Sequence, residues 1–164
     1  ALSAELLVLG GLCPDQSTAR TRFDEAISSG AAAERFGRMV TALGGPADLM
    51  ENPDRYLASA PVMREVHADA SGHVAAIDTR ALGVAVVALG GGRSRVQDPI
   101  DPAVGLSAVA GLGAAAGPRS IPLAVVHARS EDEAEAAADA VRAAFTIADS
   151  APAPASPVAR RLAH

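Results

Sequence analysis

The sequence contains no lysine: all 14 of its basic residues are arginine. A P-loop is therefore excluded in its usual form, because the lysine that reaches the phosphates is missing. Cysteine occurs once, at Cys13, so no intramolecular disulfide and no cysteine-based metal site can form. Cys13 sits beside Pro14 with no identifiable base, and no G-x-S-x-G is present, so neither common route to a nucleophile is marked. Tryptophan is absent and aromatics make up 2% of the chain, which is rich in alanine, glycine and arginine. Base composition of the coding DNA produces such a pattern on its own, so no function is read from it. A net charge of −5 leaves no electrostatic footprint for nucleic acid or an anionic membrane. No apolar run approaches the roughly 20 residues that span a bilayer. The opening ALSAELLVLGG has no basic region and no initiator Met; it reads as a helix entered partway, not as a signal peptide. A single cysteine and no span give the expectation of a reduced, cytoplasmic setting.

What is present centres on Asp78–Asp98, DTRALGVAVVALGGGRSRVQD. Leu82, Ala85, Val86 and Leu89 recur at helical spacing, and Val84 and Val87 fill the other face, which predicts a helix buried nearly all round. Asp78 or Thr79 supplies the N-cap. Gly90, Gly91 and Gly92 end the helix, where residues without Cβ take left-handed conformations. Arg93 and Arg95 then fall on a loop expected to be flexible.

Before this stretch, residues 1 to about 45 read as three helices. Leu2, Leu6 and Leu9 line the first, and Pro14 and Asp15 open the second, with Ala19, Phe23, Ala26 and Ile27 inward. Phe36, Met39, Val40 and Leu43 mark the third, with Glu34 and Arg38 paired on its outer face. The turn-rich PADLMENPDRYLASAP over residues 46–61 reads as a connector. Strands are predicted at Met63–Ala68 and His73–Ile77, then at Val104–Val109 and Pro122–Ala128. Ser130 and Glu133 form a capping box ahead of a helix carrying Ala134, Ala137, Ala138, Val141 and Phe145 inward. The Pro/Ala/Ser-rich Ser150–Pro157 is expected to be extended.

Three constellations invite chemistry. Gly111–Gly117 (GLGAAAG) approaches a dinucleotide fingerprint, but Pro118-Arg-Ser-Ile-Pro122 follows and cannot supply the helix N-terminus that holds a pyrophosphate; a turn between strands is the reading. Gly90–Arg95 joins glycines to arginines, yet the glycines lie at a helix C-terminus, where the dipole repels anions. His67 and His73 flank a predicted hairpin turn with no third ligand at a fixed spacing, so they read as strand residues, not a zinc site. His127 beside Arg129 reads as a hydrogen-bonded structural residue. No metal or other cofactor is expected. The glycine-punctuated strands GHVAAI, PAVG and PLAVVHA are similar to the half-barrels of biotinyl and lipoyl carrier modules, whose acylated lysine this chain lacks.

DTRALGVAVVALGGGR resembles the corresponding segment of the pyrimidine-nucleoside phosphorylase family, which includes the thymidine phosphorylases. ALSAELLVLGG, AAERFGRMVTA, IDPAVG and LAVVHA fall in that family's order and spacing, so the resemblance covers almost the whole chain and only the family's C-terminal part. It implies an α+β fold: a helical segment over residues 1–59 from the parent's central domain, a small mixed α/β domain with half-barrel-like strands and packed helices over 60–150, and an extended tail over 151–164. The parent reaction it implies is phosphorolysis of a pyrimidine nucleoside to free base and α-pentose 1-phosphate, with inorganic phosphate as co-substrate and a homodimer as the assembly. Phosphate and base ligands come from the family's N-terminal part, so the resemblance assigns no catalytic or substrate-binding residue to this chain. It places Gly90, Gly91, Gly92, Arg93 and Arg95 on the domain facing the substrate cleft, as a loop that helps hold the closed form. A broader pyrimidine-nucleoside phosphorylase, or a non-catalytic module built on the same domain, are the alternatives.

Overall fold

The computed structural model describes residues 2–154, which divide between Tyr56 and Leu57 into two compact units. The tail expected over 151–164 lies outside the described residues except for 151–154, which carry no regular structure.

In the first unit three helices follow one another: α1 (Leu2–Leu9), α2 (Gln16–Ser28) and α3 (Ala31–Ala42). Asp15 caps α2, its carboxylate accepting the Thr18 amide at 2.8 Å, as Pro14-Asp15 leads one to expect. A short 3₁₀ turn, Pro53–Arg55, ends the unit, where Asp48 accepts the Tyr56 hydroxyl at 2.5 Å. The buried residues here are Ala4, Cys13 and Ala19. Leu2, Leu6, Leu9, Phe23, Ile27, Phe36, Met39 and Leu43 are exposed instead of inward. Helical periodicity finds an apolar face correctly but cannot say whether anything covers it. Glu34 and Arg38 make no ion pair among the described residues.

The second unit holds two antiparallel three-stranded sheets. One has the order β1 (Val62–Val66), β5 (Ala124–Ala128), β3 (Gly105–Ser107); the other β4 (Ala115–Ala116), β2 (Gly72–Ile77), β6 (Phe145–Ala148). Val62 pairs with Ala128 and Gly105 with His127; His73 pairs with Ala148 on one side and Ala115 on the other. Helices α4 (Thr79–Ala88) and α5 (Glu131–Ala144) pack on each other, and α5 covers β1 and β5. Alternation along β5 turns Ala124, Val126 and Ala128 inward. With Val66, Val74, Leu123 and Val141 they form the centre of one core. Alanines 134, 137, 138 and 144 bring α5 close to it. No helix among the described residues is long and apolar enough to cross a membrane.

Four expectations need correction. Helix α4 is half-exposed, burying Leu82, Ala85 and Leu89 while Val84 is 61% exposed and Val86 only half-buried, because α5 covers one side of it. The strand expected over 104–109 stops at Ser107, since Ala108 takes φ +49°, a left-handed value that breaks the ladder. Phe145 does not end α5 but begins β6, with φ −105° and ψ 134°. Inside the glycine turn 111–117, Ala115 and Ala116 pair with β2, so the turn contributes a two-residue strand.

Candidate functional site

The loop from Gly90 to Asp101 is the feature that the sequence singles out, and α4 positions its start. Leu89 ends the helix in the right-handed region and Gly90 reverses the chain at φ +92°. Its amide bonds the Val87 carbonyl, and the Gly91 amide bonds that of Val86, so the last carbonyls of α4 are satisfied. A Cβ on Gly91 would come within 2.9 Å of Val86 Cγ1, and one on Gly92 within 2.7 Å of Val87 Cγ2. Gly91 and Gly92 therefore serve close packing at the end of α4.

Beyond them the chain folds on Asp98. Its carboxylate accepts the amides of Ser94 and Arg95, at 3.2 and 2.7 Å, while its own amide bonds the Arg95 carbonyl at 3.1 Å. Arg93, Ser94, Arg95 and Val96 point outward, Val96 with 91% of its surface free. The Arg93 and Arg95 guanidinium groups have no partner among the described residues. Two cations are thus presented on a solvent-facing turn whose backbone is hydrogen-bonded to Asp98.

The loop closes where the Asp101 amide donates to the Gly90 carbonyl at 2.9 Å. The Asp101 carboxylate accepts the Ala103 amide at 3.0 Å and a two-pronged contact from Arg129, Nε at 2.5 Å and a terminal nitrogen at 2.7 Å. The Arg129 guanidinium, and after it the Ala103 amide, hold the Asp101 carboxyl below the usual range; Arg129 is raised in turn, chiefly by Asp101. Arg129 stands immediately before α5: Ser130 Oγ accepts the Glu133 amide, as expected of a capping box, while the Glu133 carboxylate takes the Arg129 amide.

All five residues expected of the loop, Gly90, Gly91, Gly92, Arg93 and Arg95, lie together on it. Asp98, Asp101 and Arg129 escaped sequence reasoning. Asp101 could have been found as an Asx turn, its carboxylate accepting the Ala103 amide two residues on, whereas the contacts of Asp98 run back to Ser94 and Arg95 and follow no such pattern. The Asp101–Arg129 contact spans 28 residues and carries no local signal.

The three described histidines, His67, His73 and His127, each meet a different partner. His67 faces Glu65 at 3.3 Å, and His73 Nδ1 lies 3.2 Å from the Gly113 carbonyl. His127 bonds Ser107 Oγ across β5 and β3 at 2.7 Å. Among the described residues no group of three His, Cys, Asp or Glu side chains could hold a metal ion. After Gly117 no helix starts, so the glycine run there remains a turn.

The chain has known relatives in sequence. Residues 73–148 match the family described as the pyrimidine nucleoside phosphorylase C-terminal domain. The second unit is the part of the chain that carries that match, and the chain resembles the C-terminal portion of the family. More particularly, it is 56% identical over 154 residues to the thymidine phosphorylases of Burkholderia orbicola and Burkholderia cenocepacia, and 53% identical to that of Burkholderia lata. Each comparison takes in 94% of this chain and 35% of the relative, so the chain spans about a third of the length of the curated proteins it matches.

Proposed function

We propose that this chain is the C-terminal portion of a thymidine phosphorylase, whose intact form converts thymidine and phosphate to thymine and 2-deoxy-α-D-ribose 1-phosphate. The observation that carries the reading is 56% identity sustained over 154 residues to enzymes of that name. The exposed leucines of the first unit support it, as a helical face that further chain would cover. The parent acts in the cytoplasm as a homodimer and needs no metal or organic cofactor.

Phosphorolysis needs phosphate held against the anomeric carbon and stabilisation of charge growing on the departing base. A chain without lysine, whose two unpartnered loop arginines face solvent, supplies neither pocket by itself. Its contribution is the Gly90–Asp98 loop, whose Arg93 and Arg95 meet the rest of the enzyme when the substrate cleft closes. The purified chain alone therefore releases no thymine from thymidine and phosphate.

The test replaces the matching stretch of the Burkholderia orbicola enzyme with this chain. The chimera should release thymine at a rate comparable to the relative's, and the double change Arg93→Ala, Arg95→Ala should lower kcat roughly tenfold with an unchanged melting temperature. A folded but inactive chimera, or enzyme-like turnover by the isolated chain, overturns the reading.

A further inference from the structure

We propose that Asp101 and Arg129 form a clasp that fixes the trailing leg of the Gly90–Asp101 loop to the start of α5, and so positions Arg93 and Arg95. In its consequence for turnover the proposal rests on the reading of this loop as a closing element; in its mechanics it does not.

The loop has two legs and they are secured differently. The leading leg is built into α4, through the Gly90 and Gly91 amides and the tight packing of Gly91 on Val86. The trailing leg has no such helix. Between Asp98 and Asp101 it runs through Pro99 and Ile100, both exposed, and Pro99 has no amide to donate. Its first fixed point is Asp101, which is tied three ways: to Gly90 by its amide, and to Ala103 and Arg129 by its carboxylate. Of these, the Gly90 and Ala103 contacts stay within the loop's own neighbourhood. Only the Arg129 contact reaches a different element, one anchored by the buried face of α5.

The geometry suits a clasp more than a stability contact. Both oxygens of Asp101 are engaged by the planar fork of one guanidinium, which fixes direction as well as distance. The side chains are 27% and 48% exposed, so solvent screening keeps the pair's contribution to global stability small. Arg129 is itself held from behind, its amide on the Glu133 carboxylate in the first turn of α5. Opening the pair removes the trailing leg's one tie to the start of α5, while the Gly90 and Ala103 contacts and the core of the second unit remain. The turn beyond Gly92 would then be held at its trailing end by those contacts alone, leaving Arg93 and Arg95 less firmly placed.

Trypsin reads this directly, because its cleavage points after Arg93 and Arg95 lie on the loop itself. With the full chain under native conditions, Arg129→Gln and Asp101→Asn should each speed cleavage after Arg93 and Arg95 by roughly three- to fivefold. Cleavage after Arg119, in the exposed turn preceding β5, should be unchanged. Arg129→Lys restores the charge without the fork and should fall between. Unchanged cleavage in the Arg129→Gln variant overturns the clasp, and so does equal acceleration after Arg119, which would mark general loosening. Should Asp101→Asn fold poorly, the two Arg129 variants decide the matter alone. No substrate enters the assay, so its outcome is independent of whether the loop closes on substrate: a clasp that holds in a chimera indifferent to Arg93→Ala, Arg95→Ala sinks only the closing role.

Discussion

At the scale of single residues, the chain's chemistry is concentrated in a few charged groups with defined partners. Asp101 is the clearest, facing Arg129 just ahead of α5, with the Glu133 carboxylate beyond it. Its carboxyl is held below the ordinary value near 3.9, so the contribution of its ionised form is complete above that value and is lost as pH falls through the lower, folded-state value. A carboxyl-carbon NMR titration should place the Asp101 midpoint below the ordinary value, and Arg129→Gln should move it upward. An unmoved midpoint would show that Arg129 is not its main partner. Glycines act at the same scale through what a Cβ would strike. Gly91→Ala meets Val86 Cγ1 at 2.9 Å and two carbonyl oxygens at 3.2 Å, and should cost about 1–3 kcal/mol in denaturant melts.

At the scale of elements, α4 shows how pattern and packing part company. Its apolar run predicts burial on all sides, yet only Leu82, Ala85 and Leu89 are buried, because one helix, α5, and one core lie against it. Leu82→Ala should therefore cost about 2–4 kcal/mol, while Val84→Ala should cost under about 0.5. Gly83, two turns before the C-terminal glycines, has open space where its Cβ would be. Gly83→Ala should stabilise by about 0.5–1 kcal/mol, the opposite sign to Gly91→Ala in the turn that follows. Chemical denaturation of these variants checks all the values, and similar losses for Leu82→Ala and Val84→Ala would contradict the orientation of α4. Helix α5 was legible almost throughout, because its cap, acidic first turn and inward alanines are local signals. Strands β4 and β6 were not. Each is short, and each exists because β2 lies beside it.

At the scale of the whole molecule, the two units differ in what they bury. The second closes over Val66, Val74, Leu123, Val126 and Val141, the largest of its fully buried side chains. The first buries two alanines and a cysteine. Amides of α1, α2 and α3 should accordingly exchange with solvent at least roughly tenfold faster than those of β5 and α5, measured by hydrogen–deuterium exchange. Equal protection would mean that the first unit is held by more than its own contacts.

The sequence by itself determined the helices, the N-terminal caps of α2, α4 and α5, the strands β1, β2 and β5, the glycine stop at Gly90 and the position of Arg93 and Arg95 beyond it. All of these rest on interactions within a few residues, which periodicity and capping chemistry report directly. Tertiary structure alone decided which apolar faces are covered, how β2 acquires partners on both sides, and where the loop is fastened. Those outcomes depend on groups far apart in the chain, Asp101 with Arg129 or His73 with Ala148, whose meeting no local pattern records. An apolar stripe announces a face to be buried; only the packed molecule supplies, or withholds, the surface that buries it.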